Sequence, residues 1–125
     1  MEQIPLRILA EIGEPVFLSE SVLSHIHTEG DAISWCWALR RCKPLTVSEA
    51  ARILGIPKSH FSNIINGKKY LPHGMRIALQ RLCGNWAIRQ WEDRECGFVT
   101  QRESAEQRRI RELEQQVSQL ERKAA

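Results

Sequence analysis

The sequence predicts an all-α fold, and three observations carry that expectation. Apolar residues recur at helical spacing along most of the 125 residues. Helix punctuation separates these stripes at Gly30-Asp31, Gly55-Ile56-Pro57, Gly67, Gly84-Asn85 and Gly97. From about Gln101 glycine and proline vanish, Gln, Glu and Arg dominate, and a heptad spacing of apolar residues takes over.

Residues 1–16 read two ways. Ile4, Leu6, Ile8 and Ala10 alternate like a strand, while Ile8, Leu9 and Ile12 fit a helical turn; Pro5 and Pro15 fence the segment. Either a short element packed on the core or an ordered arm is expected, and Arg7 alone makes a poor base-reading arm. A short helix follows over 18–29, with Ser19 as cap and Leu18, Val22, Leu23 and Ile26 as its stripe. Asp31 is expected to cap a helix over 32–42, with Ile33, Cys36, Trp37 and Leu39 facing the core, Trp35 on another face, and Pro44 ending it.

Two short helices come next. Thr46 or Ser48 caps the first, and Thr46 with Glu49 would form a capping box. Ala50, Ala51, Ile53 and Leu54 are its stripe, and Gly55 stops it in the left-handed conformation. Pro57 fits the first turn of the second helix. Phe61, Ile64 and Ile65 form the buried stripe of that helix, and Lys58, Ser59, His60, Ser62, Asn63 and Asn66 lie mostly off it. Gly67 ends it. A helix over 74–83 carries Met75, Ile77, Ala78, Leu79 and Leu82; another over 86–96 carries Trp86, Ala87, Ile88 and Trp91.

In the tail, Ile110, Leu113, Val117 and Leu120 form an a/d seam that Ala124 continues. Branched residues at a with Leu at d favour two parallel strands. Arg109 at g would face Glu114 at the following e of a partner helix. The seam spans barely two heptads; self-association through it is expected, against the bland reading of a solvated, partly helical tail.

Composition limits the function classes. No apolar run approaches the ~18–20 residues of a membrane span, and the N-terminus, with Glu2, lacks a secretory signal pattern, so a cytoplasmic protein is expected. Cys36, Cys42, Cys83 and Cys96 form no C-x-x-C pair, and reduced thiols are the expectation. His25-x-His27 with Cys36 and Cys42 lacks the tight loops of structural zinc sites, so no metal or other cofactor is expected. There is no nucleophile with a marked base and no phosphate loop, since Gly67-Lys68 lacks the remaining Walker spacing; a non-enzyme without a small-molecule substrate is expected. The net charge of +3 is uneven. Residues 40–81 hold nine basic residues and one acid, Glu49, which suits a surface for phosphates. Arg40, Arg41 and Lys43 either extend that surface or are simply solvated.

From about Leu39 to Cys83 the chain resembles the lambda-repressor/Cro-like (XRE) helix-turn-helix regulators. Thr46–Leu54 matches the first motif helix, Lys58–Asn66 the recognition helix, and Gly67-Lys68-Lys69-Tyr70-Leu71-Pro72 the exit loop. Ala51 falls where the two helices approach closely. Pro57 departs from the polar N-cap usual in the family. The resemblance implies a lambda-repressor-like helix-turn-helix bundle over 30–97, with residues 1–29 as an extension packed on it and 98–125 as a C-terminal coiled-coil helix. It implies a sequence-specific regulator of transcription, with repression as the expected mode, in a prokaryotic or phage setting. An antitoxin or adaptor-type interaction protein is the competing expectation.

A helix in the major groove reads base edges from its N-terminal half. The resemblance places Lys58, Ser59, His60 and Asn63 at base-facing positions, with Ser62 as a further candidate. Lys58 suits guanine O6 and N7, and Asn63 suits adenine N6 and N7. Ser48, Arg52, Asn66, Lys68, Lys69 and Tyr70 are the candidates for phosphate contacts. The expected partners are double-stranded DNA and a second copy of the chain through the tail.

Overall fold

The computed structural model describes residues 4–125; the first three residues, Glu2 among them, lie outside the described residues. Its helices run in the order α1 (Leu6–Ile12), α2 (Glu20–Leu23), α3 (Glu29–Ala38), α4 (Val47–Leu54), α5 (Lys58–Ile65), α6 (Arg76–Cys83), α7 (Ala87–Glu95) and α8 (Ala105–Ala124). A 3-10 turn at His73–Met75 leads into α6. The all-α expectation holds: among the described residues the one extended pairing is a parallel bridge between Val16 and Asn85.

α3 is the central helix and packs on α5, α6 and α7. One apolar cluster runs through the structure, from Ile8 and Ile12 of α1 to Ile33, Leu45, Ile53, Phe61, Ile64, Leu79, Leu82 and Ile88. The ambiguity over the first 16 residues resolves as a helix. Ile8 and Ile12 lie one turn apart, and both are buried. Leu23 and Ile26 add the stripe around α2 to the same core.

Several boundaries differ from expectation. α3 starts at Glu29, because the Thr28 hydroxyl accepts from the Asp31 amide at 3.1 Å. Asp31 sits inside the first turn, and its carboxylate accepts from the His27 amide at 3.1 Å. Gly30 is therefore helical, and a methyl group there would meet the Gly67 Cα and the Thr28 hydroxyl at ordinary van der Waals distance, 3.7 Å. α3 ends at Ala38 rather than near Pro44. The following loop is held by Arg40, whose guanidinium stacks on Trp37 and donates to the carbonyls of Leu45, Trp37 and Lys43. Pro57 occupies the N-cap position of α5 instead of its first turn.

Some inward and outward assignments also change. Ile77 points out and is more than half exposed, while Gln80 takes the buried position. Gln80 can be buried because its amide donates to the Arg76 carbonyl at 3.0 Å and accepts from the Arg89 amide at 2.8 Å. Asn85 is fully buried. Its Nδ2 donates to the Cys36 carbonyl at 3.0 Å and its Oδ1 accepts from the Ala87 amide at 3.2 Å, so one side chain ties the start of α7 to the last turn of α3. Gln90 pairs with both backbone groups of Leu18, at 2.8 and 3.2 Å. Cys36 and Cys83 are buried side by side; the neighbouring thiol first, and burial second, push the Cys36 thiol well up. Trp35 meets the segment after α2 by stacking on His25, with ring centroids 5.9 Å apart.

Candidate nucleic-acid interface

The interface is built from α4, α5 and the loop that leaves α5. Thr46 caps α4, accepting from the Glu49 amide at 3.1 Å. The Glu49 carboxylate turns to Arg7 of α1 and to Arg52, 3.8 Å away. Gly55 then adopts φ 76, with its amide on the Arg52 carbonyl and the Ile56 amide on that of Ala51. That pair of bonds is a Schellman turn. It ends α4 and redirects the chain within three residues, Gly55 to Pro57, to the start of α5. Ala51 is buried and small where α4 and α5 pack together.

α5 buries Phe61, Ile64 and Ile65. Phe61 meets the edge of Trp37 from α3, centroids 5.3 Å apart at 87°. The Ser34 hydroxyl donates to the Ile65 carbonyl at 2.6 Å. These contacts fix the helix against α3 and decide its outward face. Lys58 and Ser59 are exposed there, and His60, Ser62 and Asn63 are half-buried. None of the five spends its side chain on a hydrogen bond or ion pair among the described residues. Their donors and acceptors are available to an external partner.

The exit loop is ordered by the backbone of α5. The Lys68 amide donates to the Asn63 carbonyl at 2.8 Å, and Leu71 is buried as an anchor. Asn66, Lys68, Lys69 and Tyr70 are held exposed between these points. Tyr70 is 90% exposed, too open for a core role. Ser48 is exposed on the first turn of α4, and Arg52 is exposed on its last.

The basic residues of this region separate into two groups. Arg76 is nearly enclosed and pairs with Glu29, at 2.7 Å, and with Glu92. Arg40 and Lys43 turn to backbone carbonyls of their own loop and of the last turn of α3. These three are engaged within the fold, Arg40 by three carbonyls and the Trp37 ring. Lys58, Lys68 and Lys69 are exposed and make no ion pair among the described residues. They stand at the beginning of α5 and just past its end. Their charge is open to solvent and is screened by salt.

α8 opens with a complete capping box, in which Ser104 and Gln107 exchange hydrogen bonds of 3.1 and 2.9 Å. Glu103 just before it accepts two bonds from Arg111, which hold its carboxyl below the usual range. Ile110, Leu113, Val117 and Leu120 all remain exposed along one face. The His25, His27, Cys36 and Cys42 combination is not assembled: the two histidines are exposed and the two cysteines buried. Among the described residues no group of three or more His, Cys, Asp or Glu is placed to hold a metal ion. No helix among them is long and apolar enough to cross a membrane. Comparison with protein-family models, with curated proteins and with solved structures gave no match.

Proposed function

We propose that the chain is a sequence-specific double-stranded DNA-binding regulator, acting as a repressor, whose α4–turn–α5 unit works as a lambda-repressor-like helix-turn-helix. α5 enters the major groove. Lys58, Ser59, His60, Ser62 and Asn63 read base edges there; Ser48, Arg52, Asn66, Lys68, Lys69 and Tyr70 set register on the phosphates. One observation carries this reading. The outward face of α5 presents Ser59, His60, Ser62 and Asn63 without internal partners, between Lys58 at its start and Lys68 and Lys69 past its end, none of them in an ion pair among the described residues.

One such helix covers only a few base pairs. Two copies joined in parallel through Ile110, Leu113, Val117 and Leu120 would place two α5 helices on successive turns of one DNA face, ~34 Å apart. The operator is therefore a near-palindrome. The exposed seam also favours a second reading, an antitoxin or adaptor-type protein in which α8 recruits a partner.

Binding-site selection from a random duplex pool, with the full-length chain at physiological salt, tests the proposal. Enrichment of a near-palindrome with half-sites about one turn apart is expected. A folded protein that enriches no sequence overturns it and leaves the assembly reading.

A further inference from the structure

A second concave surface lies where the bundle meets the tail. It is a cleft of about 1030 Å³, lined by α6, α7, residues 98–103 and the first turns of α8. The linker that forms one of its walls is pinned to the bundle. The Thr100 hydroxyl donates to Asp93 at 2.6 Å, and the Phe98 amide donates to the Asp93 carbonyl at 2.6 Å. Arg102 reaches across to Glu14 and the Pro15 carbonyl, and its guanidinium lies 4.8 Å from the centre of the Phe17 ring.

The lining combines two chemistries. Ile77, Trp86, Phe98 and Phe17 supply an apolar surface, and Ile77 and Phe98 are 57% and 66% exposed. Around it stand five arginines and four carboxylates. Most neutralise one another: Arg89 with Asp93, Arg102 with Glu14, Arg108 with Glu103. Arg81 of α6 and Arg109 of α8 are left without an ion pair among the described residues. The remaining carboxylate, Glu112, also lines the cleft without an ion pair among the described residues, so the unpaired charges leave a net of one positive charge there. Two unpaired guanidiniums beside an apolar, partly aromatic floor match one ligand chemistry: a flat apolar body carrying a single acidic group. Guanidinium recognises carboxylates through paired hydrogen bonds and stacks on rings. The volume suits a small molecule.

We propose that this cleft binds a small aromatic carboxylate, with its ring on Ile77, Trp86 and Phe98 and its acid group on Arg81 and Arg109. A ligand held so would tie the first turns of α8 to α6. The site is separate from α5, and its occupancy is measured without nucleic acid; Arg109 is shared with the g–e pair of the proposed dimer, so Arg81→Ala is the variant that tests the cleft apart from the DNA-binding reading.

The probe is 2-naphthoate, with neutral 2-naphthamide as the matched body lacking the charge. Both are titrated into the full-length chain and followed by amide NMR. The expected result is saturable shifts confined to residues 14–17, 77–93 and 98–112, and binding of the acid at least fivefold tighter than the amide. Arg81→Ala and Arg109→Ala should each weaken naphthoate about fivefold and leave naphthamide unchanged; both side chains are exposed, so neither change threatens the fold. Lys58→Ala should change neither. Equal binding of acid and amide overturns the proposal. So do shifts centred on the Ile110–Leu120 seam, or undiminished naphthoate binding by both arginine variants.

Discussion

The Ser34 hydroxyl donates to the Ile65 carbonyl at 2.6 Å, and this bond joins the middle of α3 to the last turn of α5. The two residues are 31 positions apart, so the bond is purely tertiary. It satisfies one of the carbonyls that a helix end leaves without a partner. Ser34→Ala should therefore lower stability by about 1 kcal/mol. Urea unfolding should show a lower midpoint at an unchanged slope. A midpoint equal to that of the parent would mean that water replaces the hydroxyl without loss.

Gly84 and Gly97 form a contrast that separates strain from crowding. Both have positive φ, 78 and 82. A methyl group on Gly84 would lie 2.9 Å from Ile12 and 3.0 Å from Arg41, while one on Gly97 would meet nothing within 4 Å. Gly97→Ala should cost about 1 kcal/mol from backbone strain alone. Gly84→Ala should cost about 2–4 kcal/mol, since the buried Ile12 side chain of α1 and the Arg41 side chain must also shift. Thermal unfolding of the pair checks the order; equal losses would show that α1 yields freely.

Asn63 and Lys69 test the division of labour at the proposed interface. Asn63→Ala should relax preference at one position of the site, at about 1–3 kcal/mol of discrimination. Lys69→Ala should weaken all duplexes alike and reduce the salt slope by about 1. Affinities over a mutated-operator series at several salt concentrations distinguish the two. Uniform weakening by both variants would remove the base-reading role from Asn63.

The role of α8 is tested by removing residues 105–125 and leaving Arg102 and its contacts to Glu14 and Pro15 in place. Affinity for a palindrome should fall far more than affinity for a half-site, because two linked binding events become separate. Sedimentation should show a matching shift from dimer to monomer. An unchanged ratio of palindrome to half-site affinity would take the tail out of DNA binding.

Much of the local structure was legible in the residues. The stripe of α4, the Gly55 turn, the stripe of α5 and the heptad of α8 all follow from periodicity and capping chemistry, which act over a few residues. Less legible were the starts and ends set by competition. Thr28 wins the cap of α3 from Asp31 because its hydroxyl reaches the Asp31 amide, while Asp31 reaches back to His27. Gln80 and Gln90 are inside because partners distant in sequence or on another element satisfy their amides, which no hydropathy pattern encodes.

What the sequence determined by itself is the helical class, the order of the elements, and which face of α4, α5 and α8 is apolar. These are properties of spacing along one chain. Tertiary structure decided which charges are available. Arg40, Arg76 and Lys58 have equal standing as cations in the sequence. Folding brings Arg40 to three carbonyls and Arg76 to Glu29 and Glu92, and leaves Lys58 in the open. It likewise assembles the cleft of Arg81 and Arg109 from α6 and α8, segments whose proximity depends on Arg102 and Thr100 pinning the chain between them. Pair energies depend on distance in space, and distance in space is what the one-dimensional pattern lacks.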